Sequence, residues 1–129
     1  MIKGMFKGYI PSIIWTLIIV SLSVIPGESL DGYSWSDMWN IDKLGHLIFY
    51  GTHTFLLLFA MSHRSAKLLT LNNKYLAPIL SILLGLCMEL IQYQYFADRH
   101  FDVLDLIANI IGSIIGLIIF KFLKLRRHD

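Results

Sequence analysis

Four apolar stretches consume most of this 129-residue chain: Tyr9–Ile25, Leu44–Ser62, Tyr75–Phe96 and Val103–Leu123. Each is near the roughly 20 residues a helix needs to cross about 30 Å of hydrocarbon. The connections left over are too short to build a soluble domain. Hydrophobic residues make up 56% of the sequence and mean hydropathy is +0.63, both high for a water-soluble chain of this length. The expectation is an all-α membrane protein: a single unit over residues 1–129, with four transmembrane helices in an antiparallel bundle.

Charge placement predicts the orientation. Lys3 and Lys7 precede the first span, Arg64, Lys67 and Lys74 lie between the second and third, and Lys121, Lys124, Arg126 and Arg127 close the fourth. The opposite side carries Glu28, Asp31, Asp37, Asp42, Asp98 and Asp102, with Lys43 and Arg99 against them. Basic residues stay in the cytoplasm, so both termini are expected inside, in a multi-pass protein of the bacterial cytoplasmic (inner) membrane. The basic residues then report topology, and nucleic acid is not an expected partner. No A-x-A cleavage site follows the first span, which reads as uncleaved. Cys87 is the only cysteine, so neither an intramolecular disulfide nor a cysteine metal cluster can form.

Glu89 sits inside the third apolar run, where a charge near the centre of a translocated helix costs roughly 2.5–3.5 kcal/mol. Its surroundings follow from depth. At about 1.5 Å per residue, Glu89 lies roughly 10 Å in from Phe96, level with Asn109 counted from Asp102 and Tyr50 counted from Lys43. Lys43, His46, Tyr50 and His53 form one helical stripe; Asp102, Asp105, Asn109 and Gly112 form another; Glu89 and Gln92 are one turn apart. Three polar stripes at matching depths predict a shared cavity opening outward. Small residues at intervals of four, Ala108, Gly112 and Gly116 on span four and Ser81 and Gly85 on span three, predict close packing of those two helices.

The cavity level holds Asp42, Lys43, His46, Tyr50, Glu89, Gln92, Arg99, Asp102, Asp105 and Asn109. Four carboxylates against two cations make it a poor simple anion trap. A buried Glu89 with His46 and Asp105 supplies candidate acid/base chemistry. Asp42, Lys43, Tyr50, Gln92, Arg99, Asp102 and Asn109 are the binding candidates. His46 with Glu89 and Asp105 offers a divalent-metal alternative, but no close-spaced ligand pair such as HExxH is present, so neither a metal nor another cofactor is expected. Each residue also has an architectural reading. Asp102-Val-Leu-Asp105 resembles a helix-capping box, Asp42 suits a cap for span two, Arg99 suits a partner for Asp102, and His53 suits packing. Glu89 itself would become a buried polar core if Tyr50, Gln92 and Asn109 donated to it.

The same residues resemble the VanZ-like membrane protein family. The resemblance rests on Asp42-Lys43-Leu-Gly-His46-Leu-Ile-Phe-Tyr50, on Glu89-Leu-Ile-Gln92, and on Arg99-His-Phe-Asp102-Val-Leu-Asp105-Leu-Ile-Ala-Asn109-Ile-Ile-Gly112-Ser-Ile-Ile-Gly116, with Ser23 and Pro26 fitting the end of span one. The family is named for a glycopeptide-resistance accessory protein, whose founding member is associated with low-level teicoplanin resistance. The combined expectation is an outward-facing polar site that binds or modifies an envelope lipid or lipid-linked glycan precursor, with an effect on glycopeptide susceptibility. A structural or partner-binding protein is the second class. A transporter is the third, and four spans without a repeat would then require a homo-oligomer.

Overall fold

A computed structural model describes residues 7–25, 35–64, 74–97 and 100–126, the side chains of residues 35–39, 64 and 125 excepted. Its regular structure is entirely helical: α1 Ile10–Ser23, α2 Trp35–Arg64, α3 Leu76–Tyr95 and α4 Val103–Arg126. Three of these contain segments long and apolar enough to cross a membrane: Asn40–His63, Leu76–Tyr95 and Val103–Lys124. α1 is apolar but shorter, at 14 residues.

Burial is inverted relative to a soluble domain. Ile13, Leu17, Ile79, Leu83, Ile114 and Ile118 face outward, while Thr54, Ser81, Glu89, Asn109 and Ser113 are buried among the helices. In hydrocarbon an exposed isoleucine is already in its preferred solvent, whereas a polar side chain gains by turning inward. This pattern, with the three spanning helices, makes the chain an integral membrane protein.

Helix ends follow local chemistry. Pro11 occupies the first turn of α1, where its missing N–H has no intrahelical partner to lose. α3 stops at Phe96, which turns extended while its N–H still reaches the Gln92 carbonyl. At the start of α4, Asp102 Oδ1 accepts the Leu104 N–H at 2.8 Å, which satisfies one of the open amides of the first turn. α2 begins upstream of the expected Leu44, at Trp35, because no proline or glycine interrupts residues 35–44. Asp42 therefore lies inside α2, and the expectation that it caps this helix is corrected.

The most intimate packing joins α2 to α4, which run in the same direction. A β-carbon on Gly112 would overlap the Leu47 carbonyl oxygen, one on Gly116 the Gly51 carbonyl oxygen, and one on Gly51 would lie 2.9 Å from the Gly112 oxygen. The expectation that Gly112 and Gly116 pack on the small residues of span three is thus overturned. Gly85 of α3 instead faces the Asn109 side chain. Two apolar clusters complete the core: Leu58, Ala77, Leu117 and Phe120 form one; Ile19, Tyr50 and Met88 form the other.

A polar chain ties α1, α2 and α3 together. His53 Nε2 lies 2.9 Å from Thr16 Oγ1 and its Nδ1 lies 2.8 Å from Ser81 Oγ. Ser81 also donates to the Ala77 carbonyl, so its hydroxyl accepts from His53 Nδ1–H. Trp15 Nε1 adds a bond to the Phe49 carbonyl at 2.9 Å.

Candidate functional site

One end of the bundle, where α3 stops and α4 begins, gathers the polar residues. Lys43 is its electrostatic centre. The ammonium lies 2.6 Å from Asp102 Oδ2 and 3.6 Å from Asp42 Oδ2, and it hydrogen-bonds Asp105 Oδ1. α2 and the first turn of α4 are therefore clamped together by charge. Asp102 serves two helices at once, capping α4 through one oxygen and pairing with α2 through the other. Partial burial pushes the Asp102 carboxyl up, but the Lys43 hydrogen bond and the Leu104 N–H outweigh it, holding the group below the usual aspartate range.

His46 lies one turn further in. Its Nδ1 is 2.9 Å from Asn109 Oδ1 and 3.9 Å from Glu89 Oε1. Its Nε2 lies 3.8 Å from both Asp42 Oδ1 and Asp105 Oδ2. Tyr50 stacks against the imidazole with ring centroids 6.1 Å apart, which fixes the ring plane. Beneath them Glu89 is 2% exposed, and its Oε1 has no hydrogen-bond partner among the described residues. Asn109 is fully buried and its Nδ2 is likewise unpartnered. The cluster thus grades from the half-exposed Asp42 to a sealed carboxylate and amide.

Eight of the ten expected site residues are brought to this end as one group or its packing shell: Asp42, Lys43, His46, Tyr50, Glu89, Asp102, Asp105 and Asn109. Gln92 is not among them. Its Nε2 donates to the Ser23 carbonyl at 2.9 Å, closing the C-terminus of α1 onto α3. Arg99 lies outside the described residues. Lys43, a binding candidate, is enclosed by three aspartates. Asn109, expected to donate to Glu89, accepts from His46 instead. The register explains this: Gly85 takes the place opposite Asn109, leaving Glu89 level with His46. The depth count therefore errs by about one turn between α3 and α4.

Thr16 and Ser81 were not recognised as partners of His53. Their signal was a pair of hydroxyl residues, Ser12 and Thr16, four apart in the first span. Gly51 was also missed; it is a small residue one position past Tyr50, on the α2 face that α4 approaches.

Asp42, His46 and Asp105 each offer one ligand atom, all within 4.8 Å of one another. Beside the cluster, an apolar groove of about 340 Å³ runs between α2 and α4, lined by Leu47, Gly51, Phe55, Ile115 and Ile119 among others.

Neither a curated protein nor a solved structure matches the chain. The VanZ/LLP1 family model matches residues 6–124, which takes in α1 to α3, α4 as far as Lys124, and every residue of the cluster. With nearly its full length so matched, this membrane protein belongs to the VanZ/LLP1 family.

Proposed function

We propose that the polar cluster is an outward-facing site that binds or modifies an envelope lipid or a lipid-linked glycan precursor, with both termini of the chain in the cytoplasm. The observation carrying this reading is the Glu89–His46 pair. A carboxylate 2% exposed, with an oxygen that no group among the described residues satisfies, lies 3.9 Å from an imidazole nitrogen. An unpaired buried carboxylate oxygen is costly, and a ligand hydroxyl or amide that bonded it would recover that cost. His46 bridges the two ends of the cluster, its Nδ1 3.9 Å from Glu89 and its Nε2 3.8 Å from the half-exposed Asp42. The apolar groove begins at Leu47 and Ile48, directly after His46 in α2, so a polar head at the cluster would have a slot for a hydrocarbon chain beside it. Glu89 would accept from, or exchange a proton with, the bound head, and His46 would act with it as acid or base.

The test is the lipid that accompanies the purified protein. Extracts should be enriched in a polyprenyl- or glycan-linked species over the bulk membrane, and finding bulk phospholipid alone would sink the reading. An effect on glycopeptide susceptibility would follow from sequestering or altering such a precursor, and deletion of the protein should shift it.

A second reading, a structural protein whose polar core sets helix register, is favoured by the Lys43 clamp. Asp102 and Asp105 on one ammonium lock the start of α4 onto α2 without needing a ligand. In that case Glu89 would hold the bundle together, and Glu89→Gln would lower the protein's abundance.

A further inference from the structure

We propose that Asp42, His46 and Asp105 form a binding site for one divalent transition-metal ion, of the Zn²⁺ or Mn²⁺ class. In the present orientation of the Asn109 amide, Oδ1 accepts from His46 Nδ1 at 2.9 Å. In the neutral imidazole the proton is therefore on Nδ1, and Nε2 presents a lone pair. That lone pair faces Asp42 Oδ1 and Asp105 Oδ2, each 3.8 Å away. Three electron-rich atoms converge, at distances too long for hydrogen bonds. Metal–nitrogen and metal–oxygen bonds are about 2.0–2.2 Å, so two ligands of one ion lie up to about 4 Å apart, and the 3.8 Å separations fit around a single cation.

Lys43 does not fill this place. It takes the other oxygen of each carboxylate, Asp42 Oδ2 and Asp105 Oδ1, and leaves the two that face His46. The ammonium thereby orients both carboxylates toward Nε2.

An independent observation points the same way. Behind the imidazole, the sealed Glu89 turns an unpartnered oxygen toward Nδ1. A carboxylate or amide oxygen on the far nitrogen is the usual support of a metal-bound histidine, where it orients the ring and raises its basicity. Asn109 Oδ1 supplies that bond at 2.9 Å, and the Glu89 carboxylate, 3.9 Å from the same nitrogen, adds its charge beside the ring. Charge agrees as well. Among the described residues the cluster sets four carboxylates, Asp42, Glu89, Asp102 and Asp105, against the Lys43 ammonium. A divalent cation would offset most of the excess at membrane depth, where solvent screening is weak. The mixed nitrogen and oxygen donor set suits Zn²⁺ or Mn²⁺ better than Ca²⁺ or Cu⁺. α2 supplies two ligands one turn apart, Asp42 and His46, and α4 the third.

The ion's binding stands apart from the lipid reading; its use, drawing a phosphate or pyrophosphate headgroup to a net-acidic pocket, rests on that reading. The experiment is a Zn²⁺ titration by calorimetry on the full-length protein in nanodiscs, stripped with EDTA, at neutral pH. Mn²⁺ binding would be followed in parallel by electron paramagnetic resonance. Wild type should bind one ion per chain, and the triple variant His63→Gln, His100→Gln, His128→Gln should keep it. Asp42→Asn, at a half-exposed position, should weaken binding tenfold or more; His46→Gln should abolish it; Asn109→Leu, which removes the oxygen that holds Nδ1–H, should weaken it by about 10- to 100-fold. Absence of saturable binding by folded wild type, binding lost in the triple variant, or binding unchanged in Asp42→Asn would each overturn the site. Lipid extracts taken with and without EDTA separate the two ideas. Enrichment with no metal bound removes the ion and keeps the lipid reading; a bound ion with bulk phospholipid alone does the reverse.

Discussion

Gly112 of α4 lies so close to the Leu47 carbonyl of α2 that no side chain fits between them. This contact, repeated by Gly116 on Gly51, sets the separation of the two helices that carry His46 and Asp105. Gly112→Ala must push α4 away from α2 and should destabilise the bundle by about 1–3 kcal/mol, the usual range for overpacking. Gly45→Ala is the control, since its β-carbon would meet only Phe49 Cε2 at an ordinary 3.8 Å. It should be neutral or stabilising by up to about 1 kcal/mol. Unfolding by graded SDS in mixed micelles distinguishes them.

Asp102 makes the clamp sensitive to acid. Its partial burial opposes ionisation, but Lys43 and the Leu104 N–H hold its carboxyl below the usual aspartate value. A folded-state pKa below the unfolded one means that the stabilisation is present above the ordinary aspartate pKa, near about 3.9. It is lost as pH falls from there through the folded value. Stability should therefore drop below about pH 4, and Asp102→Asn should flatten that part of the profile while lowering stability at neutral pH. Unfolding midpoints measured from pH 7 down to 3 check both.

His53 ties three helices through two side-chain hydrogen bonds. Interhelical hydrogen bonds in membranes are worth about 0.6 kcal/mol on average and up to about 1.7. His53→Leu should cost about 1–3 kcal/mol, because Ser81 and Thr16 lose a partner together, and Thr16→Val about half as much. A larger loss for Thr16→Val than for His53→Leu, in the same SDS assay, would contradict this assignment.

Glu89→Gln keeps the shape of the side chain and removes its charge. Membrane abundance should stay near wild type, while enrichment of the accompanying lipid falls by about tenfold, equivalent to roughly 1.4 kcal/mol. Collapse of abundance would instead make Glu89 an architectural residue, one whose carboxylate holds the neighbouring helices in place. Quantitative immunoblotting of membranes beside lipid mass spectrometry reads both.

Gln92 should act apart from the cluster. Its bond to the Ser23 carbonyl closes α1, so Gln92→Leu should lower stability by about 1 kcal/mol without altering lipid enrichment or Zn²⁺ affinity. A change in either ligand readout would return Gln92 to the site.

Apolar run lengths alone determined that this chain forms a bundle of membrane helices, because a bilayer demands continuous stretches whose backbone groups are satisfied within each helix. Helical spacing also determined which polar residues share a face: Lys43, His46 and Tyr50 on one helix, and Asp102, Asp105 and Asn109 on another. Tertiary structure decided which face meets which. Periodicity places a residue on its own helix, but the offset between two helices depends on how closely they approach. Here the approach was decided by Gly51, Gly112 and Gly116 letting α2 and α4 come nearly into backbone contact. That contact left Gly85 to receive Asn109 and brought Glu89 level with His46, one turn from where depth counting put it. It also handed Lys43 to Asp102 and Asp105, since an ammonium near the membrane boundary takes the nearest carboxylates whatever their distance in sequence.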